Sequence, residues 1–199
     1  MPDPCRVLFS LDRLAHDAVR RAAAVTGGRA VFLDATAGNG HDTQFLADLA
    51  GCGGQVYAFD VQEAAVQMTR KRLAEAGLAD RVVLFHAGHE RLADLLQGVR
   101  FCASMFNLGF LPGSDKRIVT GRESSLVALG AALSMTDVLL TVHAYTGHAG
   151  GEAECRAVLD FFAALPRDAW RVQYVTDGNK KKRREWLVLA ERIRDCPSA

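Results

Sequence analysis

The chain has 199 residues, of which 49% are hydrophobic and 24% charged, and its formal net charge is +1. This composition is that of an ordinary globular protein and excludes a fibrous or disordered chain, while no apolar run approaches the roughly 18 residues that a membrane-spanning helix needs. The five cysteines are scattered without a Cys-x-x-Cys pair. We therefore expect neither a disulfide framework nor a metal site, and a reducing, cytoplasmic setting.

Helical and strand patterns alternate along the chain. Ser10 is a predicted helix cap, and apolar residues follow it at helical spacing until Gly27-Gly28. Apolar runs predict strands at 30–34, 56–60, 82–86, 101–106, 137–143, 170–175 and 185–191. Helical patterns occupy 41–49, 62–76, 90–97, 123–134 and 152–164, so no helix separates the last two strands.

This order of elements predicts an α/β fold. Strands that alternate with helices form a mostly parallel sheet covered on both faces, here with seven strands. The last two strands should pair as an antiparallel hairpin at one edge. At this length we predict a single domain over residues 1–199, with loose termini at 1–9 and 192–199.

A glycine-rich turn joins the first strand to the helix after it. Residues 34–40 read Asp-Ala-Thr-Ala-Gly-Asn-Gly, and such glycines let the backbone pass close to a ligand at a helix start. Asp60 ends the second strand, where a carboxylate can accept hydrogen bonds from both hydroxyls of a ribose. The turn and this acid together predict a nucleoside cofactor.

Two residues bear on which cofactor is bound. Thr43 stands where a dinucleotide-binding turn prefers its third glycine, and Asp34 would repel a pyrophosphate but attract a cation. S-adenosylmethionine carries an amino group and a sulfonium, so the pattern favours a methyltransferase. An NAD-binding oxidoreductase and a cofactor-binding scaffold without catalysis are the alternatives from other classes.

A second candidate loop follows the fourth strand. Residues 107–113 read Asn-Leu-Gly-Phe-Leu-Pro-Gly, at the same edge of the sheet as the glycine turn. An Asn with an aromatic residue three positions later is similar to the Asn-Pro-Pro-Tyr loop of methyltransferases that act on nitrogen. Asn107 can accept amine hydrogens and thereby orient the lone pair, and Phe110 can stack on a base. A structural turn with Phe110 in the core is the alternative.

Five segments taken together resemble one family: 34–43, 59–62, 85–89, 107–113 and 147–151. Over about residues 10–191 the chain resembles the small class I methyltransferase family labelled putative rRNA methylase. Members of that family methylate the aminomethyl group of 5-aminomethyl-2-thiouridine at the tRNA wobble position. The resemblance implies a Rossmann-like fold, an S-adenosylmethionine cofactor and the tRNA anticodon stem-loop as partner, and it leaves a homodimer open.

The glycine turn, Asp60 at the end of the second strand and the family resemblance together give two sets of candidate residues. Those for the cofactor are Asp34, Gly38, Asn39, Gly40, His41, Asp42, Thr43, Asp60, Gln62, Gly88 and His89. Those for the substrate are Asn107, Phe110, Asp115 and His148. The chain departs from the family's pattern at Ala87-Gly88, where Asp-Ser is frequent, and at Phe110, where Tyr is frequent.

An aliphatic amine substrate would need a proton acceptor. With a pKa of about 10, its ammonium form has no lone pair at pH 7, whereas an aromatic base amine needs no such help. His143 and His148 are the candidate acceptors, and His16 and His86 are predicted to be structural. An rRNA base or a small-molecule amine is the alternative substrate.

The positive charge is concentrated near the C-terminus. Residues 180–184 read Lys-Lys-Lys-Arg-Arg, between the last two predicted strands. A solvated hairpin loop and a patch that contacts RNA phosphates explain this run equally well.

Overall fold

The computed structural model describes residues 10–27, 30–109, 120–179 and 185–193. The helices are α1 (Leu11–Thr26), α2 (His41–Ala50), α3 (Glu63–Glu75), α4 (Leu92–Leu95), α5 (Arg122–Met135) and α6 (Gly151–Ala163). The strands are β1 (Val31–Asp34), β2 (Gln55–Asp60), β3 (Val82–His86), β4 (Phe101–Leu108), β5 (Thr136–Tyr145), β6 (Trp170–Val175) and β7 (Glu185–Arg192).

The strands form one seven-stranded sheet in the order β3-β2-β1-β4-β5-β7-β6. The pairs among β1 to β5 are parallel, and β7 runs antiparallel to both β5 and β6. The predicted α/β fold, mostly parallel with antiparallel C-terminal strands, is therefore confirmed. Since β7 is inserted between β5 and β6, its Leu187 and Val188 are fully buried.

Two hydrophobic layers hold the sheet between its helices. On one face Leu140 and Val142 of β5 pack with Val158 and Phe162 of α6, together with residues of α5. The other face packs against α1, α2 and α3, which contribute Val19, Leu46 and Leu73. Burying a side chain of this size stabilises the fold by roughly 1.5–3 kcal/mol. The two layers therefore hold the sheet rigidly, and with it the edge on which the site lies.

The ends of several elements differ from the sequence-based expectations. β4 extends to Leu108 and β5 to Tyr145, so Asn107 and Tyr145 lie on strands rather than in loops. Arg192 belongs to β7 instead of a loose terminus: its guanidinium donates to the Thr136 and Leu133 carbonyls and lies over the Trp170 ring. The predicted helix at 90–97 is a 3-10 turn followed by the short α4.

The first helix begins as its sequence predicts. The Ser10 hydroxyl accepts a hydrogen bond from the Arg13 amide at 3.3 Å, and Gly27 ends α1 in the left-handed conformation. Among the described residues, the helices are all too short or too polar to cross a bilayer.

We expect Gly40→Ala to lower the free energy of unfolding by about 1–3 kcal/mol. Gly40 has φ +78°, and an added Cβ would lie 2.9 Å from the Thr69 Cα. Gly130→Ala in α5 is the matched control, because a Cβ there meets open space and should stabilise the helix by about 0.5–1 kcal/mol. Urea titration measures both variants, and equal effects would contradict the strained geometry assigned to Gly40.

Candidate active site

A cavity of about 610 Å³ opens at the carboxyl ends of β1, β2 and β4. The chain crosses from β1 to β2 on one side and returns to β4 on the other, and such a switch point is where open α/β sheets bind ligands. The volume suits a ligand the size of a nucleoside cofactor. The predicted site residues on its wall are Gly38, Asn39, His41, Asp42, Asp60, Gln62, His89 and Asn107.

The glycine turn is held against β2 and α3. The Gly38 amide donates to Asp60 Oδ2 at 2.9 Å, and the Gln62 amide donates to Asp60 Oδ1 at 2.8 Å. The Thr69 hydroxyl in α3 donates to the Gly38 carbonyl at 3.0 Å. Each oxygen of Asp60 keeps a further lone pair, so this carboxylate can orient the turn and still accept hydrogen bonds from a ligand.

The part of the wall nearest β3 is mostly apolar. Phe59, Val61 and Ala87 line it together with His89, which is 8% exposed. Burial lowers the pKa of His89, and its Nδ1 lies 3.3 Å from the Ala35 carbonyl oxygen. A neutral ring that donates from Nδ1 presents Nε2 as an acceptor.

Asp34 lies behind the turn rather than on the cavity wall. It is fully buried, and its carboxyl oxygens accept hydrogen bonds from the Thr43 hydroxyl at 2.5 Å and the Thr36 amide at 3.1 Å. Burial, reinforced by the negative charge of Asp42, raises the pKa of Asp34 to about 7. The structure thus assigns Asp34 and Thr43 to the architecture of the turn, where the sequence had suggested direct contact with the cofactor.

Gly40 and Gly88 also lie away from the wall. Gly40 allows α3 to approach the turn, and a Cβ on the buried Gly88 would overlap the Glu90 carboxylate. Because neither glycine has a side chain, Thr69 of α3 can lie against Gly40 and the Glu90 carboxylate can lie against Gly88.

Asp42, in the first turn of α2, joins two other side chains on the wall. Its Oδ1 lies 2.6 Å from His16 Nε2, and its Oδ2 accepts a hydrogen bond from Asn107 Nδ2 at 2.5 Å. The backbone N–H of Asn107 donates a hydrogen bond to the Thr36 hydroxyl at 2.7 Å. These contacts fix the orientation of the Asn107 carboxamide and leave its Oδ1 as an acceptor.

A second Asp–His pair lies beside the first. His143 Nδ1 is 2.7 Å from Asp12 Oδ1 and 2.9 Å from the Tyr145 hydroxyl. Asp12 and Tyr145 line the cavity, whereas His143 lies behind them and is 4% exposed. The hydrogen bond from His143 holds the pKa of Asp12 below its ordinary value.

His148 faces Glu154 instead of the cavity. Its Nε2 lies 3.9 Å from Glu154 Oε2, and Glu154 also accepts hydrogen bonds from the Thr120 and Ser125 hydroxyls at 2.8 and 2.6 Å. The Thr120 amide donates to the Gly109 carbonyl at 2.9 Å, and both of these residues lie on the cavity wall. Phe110, Asp115 and the basic run at 180–184 lie outside the described residues.

The wall residues that sequence reasoning missed include Asp12, His16 and Tyr145. Asp12 reads as an ordinary acid in the first turn of a helix, and Tyr145 follows the predicted end of its strand. His16, predicted to be structural, stacks on Phe45 and also reaches Asp42 at the wall. For Tyr145 a signal was available. Parallel strands end at the same edge of a sheet, so the end of β5 was expected beside the end of β4 and therefore beside the glycine turn.

A sequence model of the family described as putative rRNA methylase matches residues 56–191. The chain belongs to this family. It is 37% identical over 149 residues to the tRNA (mnm(5)s(2)U34)-methyltransferase, chloroplastic, of Arabidopsis thaliana. The match covers 69% of this chain and 54% of that protein, so the chain spans about half the length of this curated relative.

Solved structures of two similar proteins cover nearly the whole chain. A putative rRNA-methylase from Clostridium thermocellum has a TM-score of 0.87 and 32% identity, covering 94% of this chain and 100% of that one. A putative methyltransferase from Streptococcus mutans, in complex with SAH, has a TM-score of 0.81 and 28% identity with the same coverage. Membership of the rRNA methylase family, expected from five sequence segments, is thus confirmed.

The raised pKa of Asp34 predicts a pH-dependent stability. Between about pH 4 and pH 7 the unfolded chain ionises Asp34 while the folded protein keeps it protonated, so this residue costs stability as the pH rises, by up to about 4 kcal/mol. We expect Asp34→Asn to gain stability relative to the wild type over that range. Urea titrations at pH 4.5 and 7 measure it, with the exposed Asp80→Asn as control. A difference between Asp34→Asn and wild type that does not change with pH would contradict the buried, protonated carboxyl.

Proposed function

We propose that this protein is an S-adenosylmethionine-dependent methyltransferase that acts on an amine of tRNA. The substrate proposed is the aminomethyl group of 5-aminomethyl-2-thiouridine at the wobble position. The observation that carries this proposal is that the Gly38–Asp60 turn and the oriented Asn107 carboxamide share the wall of one cavity. The name of the Arabidopsis relative supports the substrate, and the SAH bound to the Streptococcus protein supports the cofactor.

The residues of the cavity fit S-adenosylmethionine. Asp60 offers carboxylate oxygens for the ribose hydroxyls, and the apolar wall of Phe59, Val61 and Ala87 suits an adenine ring. The turn around Gly38 supplies backbone polar groups for the amino-acid end. Carboxylates on the wall complement the positive charge of the amino group and the sulfonium.

When bound, S-adenosylmethionine supplies a methyl group on a sulfonium, a strong electrophile. The protein's contribution is then chiefly to bring a nitrogen lone pair into line with that methyl group and to hold it there. Asn107 is placed for this task, because Asp42 and Thr36 prevent rotation of its side chain and backbone. Its Oδ1 can accept one amine hydrogen and so determine where the lone pair points.

The charge on the wall favours an aliphatic amine over a neutral base amine. Asp12 and Asp42 both line the cavity, and each is held by a histidine. An aminomethyl group arrives as an ammonium ion at pH 7, and two nearby carboxylates attract that ion. A neutral aromatic amine gains nothing comparable from them.

Methylation of a defined RNA tests the proposal. An anticodon stem-loop that carries 5-aminomethyl-2-thiouridine is incubated with the protein and S-adenosylmethionine, and its nucleosides are analysed by mass spectrometry. We expect the mass of one methyl group to be added to the modified nucleoside. The same stem-loop with unmodified uridine is the matched control, and methylation of ribosomal RNA alone would point to the rival substrate.

Asp60→Ala should weaken the binding of S-adenosylhomocysteine by about 10- to 150-fold, or about 1.5–3 kcal/mol, because the ribose hydroxyls lose charge-assisted hydrogen bonds. Calorimetry measures the dissociation constant, and Asp80→Ala removes an exposed acid elsewhere as the control. Unchanged affinity, or binding of NAD by the wild type, would contradict the proposed cofactor site.

Asn107→Ala should lower turnover by about a hundredfold while leaving the affinity for S-adenosylhomocysteine nearly unchanged. The reason is that a substrate displaced by about 1 Å reacts about that much more slowly. Single-turnover methylation and calorimetry separate the two quantities. If both fall equally, Asn107 belongs to the cofactor subsite or supports the fold.

A further inference from the structure

His16 of α1 contacts one side of α2 at two positions. Its imidazole stacks on the Phe45 ring, with the centroids 3.9 Å apart and an angle of 11° between the two planes. Its Nε2 lies 2.6 Å from Asp42 Oδ1. Asp42 and Phe45 are three positions apart on α2 and therefore share one face of that helix. The two contacts together fix the orientation of the imidazole.

The α1 helix holds the His16 ring in a defined place. Ala15 and Val19 are buried in the hydrophobic layer between the helices and the sheet. One turn after His16, the Arg20 Cζ lies 4.8 Å from the centroid of the Phe45 ring, so this ring contacts two side chains of α1. Packing thus sets the position of the imidazole independently of the cavity wall.

Asp42 connects this imidazole to Asn107. Its Oδ2 accepts a hydrogen bond from Asn107 Nδ2 at 2.5 Å, while its other oxygen faces His16. A carboxylate has no hydrogen to donate, so His16 has to carry a proton on Nε2 and Asn107 has to turn its NH₂ group toward Asp42. The Asn107 carboxamide oxygen is then the group that remains for the cavity.

The direction of the Asn107 carboxamide determines which substrates it can hold. The two ends of a carboxamide have nearly the same shape, so a rotation of 180° would present a donor to the cavity in place of an acceptor. An amine that attacks a methyl group needs an acceptor for its hydrogens. A donor at this place would instead bind the lone pair that has to react.

We propose that His16 is a positioning residue for methyl transfer, an assignment that rests on the proposed function. Its N–H holds the Asp42 carboxylate in the orientation that keeps Asn107 Oδ1 directed at the substrate amine. The hydrogen bond from the Asn107 backbone to Thr36 does not act on the carboxamide. The His16 and Asp42 side chains are 23% and 20% exposed, so without the imidazole water reaches Asp42 and the carboxylate can turn.

Two substitutions separate the hydrogen bond of His16 from its ring stack. His16→Phe keeps a planar ring on Phe45 and removes the N–H, whereas His16→Gln gives up the ring and keeps an N–H donor. We expect single-turnover methylation of the modified stem-loop to fall by about 10- to 50-fold in His16→Phe, because the substrate is less well oriented. His16→Gln should recover most of the rate. The affinity for S-adenosylhomocysteine should be unchanged in both variants.

A double substitution tests whether His16 acts through Asn107. In Asn107→Ala no carboxamide remains to be oriented, so adding His16→Phe should lower the rate by less than about twofold. Residues that act independently would multiply their losses. The control is Asp17→Asn, which changes the next residue of α1, an acid that pairs with Arg20 at 2.6 Å, and it should match the wild type.

Folding is measured separately for every variant. Urea titration gives the free energy of unfolding, and calorimetry with S-adenosylhomocysteine verifies binding of the cofactor product. His16→Met is a second variant without the N–H donor, since methionine favours helices and its flexible thioether packs well on aromatic rings. It takes the place of His16→Phe in the comparison if that protein does not fold.

The outcomes distinguish this assignment from the proposed function. The positioning role is overturned if His16→Phe keeps the wild-type rate, if His16→Gln is as slow as His16→Phe, or if the losses multiply in the double variant. In each of these cases the wild type still methylates the stem-loop. A wild type that binds S-adenosylhomocysteine but does not methylate this RNA would overturn the proposed substrate, and the positioning role with it.

Discussion

The two hydrogen bonds accepted by Asp60 hold the cavity in shape. They connect the turn after β1 to the end of β2 and the start of α3, through the amides of Gly38 and Gln62. From α3, Arg72 donates to the Asn39 carbonyl at 2.7 Å and completes the support. Because the backbone of this turn is itself part of the wall, these contacts help to set the shape of the subsite that we propose for the cofactor.

The charges on the wall limit which parts of the proposed RNA substrate can enter the cavity. Among the described lining residues there are four acids and neither lysine nor arginine, the acids being Asp12, Asp42, Asp60 and Glu90. Such a wall attracts the cationic amine of a modified nucleoside and repels phosphate groups. If tRNA is the substrate, its backbone has to be bound outside the cavity while one nucleoside enters it.

The sequence predicted the sheet, the glycine turn and Asp60, because periodicity and glycine placement are local properties of the chain. The positions of the Asp34 and His148 side chains were not predicted, because each depends on how other parts of the chain pack around it. Asp34 is enclosed by the turn and accepts a hydrogen bond from Thr43, and His148 lies against Glu154. The cluster of Asp12 and Tyr145 escaped prediction for a related reason. The two residues are far apart in the chain and meet only because α1 packs on the end of β5.

The hydrogen bond between the Thr120 amide and the Gly109 carbonyl has a consequence for how proteins with this cavity can diversify. It joins two residues of the cavity wall that are eleven positions apart in the chain, so a change in the number of residues between them leaves β4 and α5 in place. Insertions between these two residues therefore change the chain next to the cavity wall, while the sheet and the turn around Gly38 keep their structure.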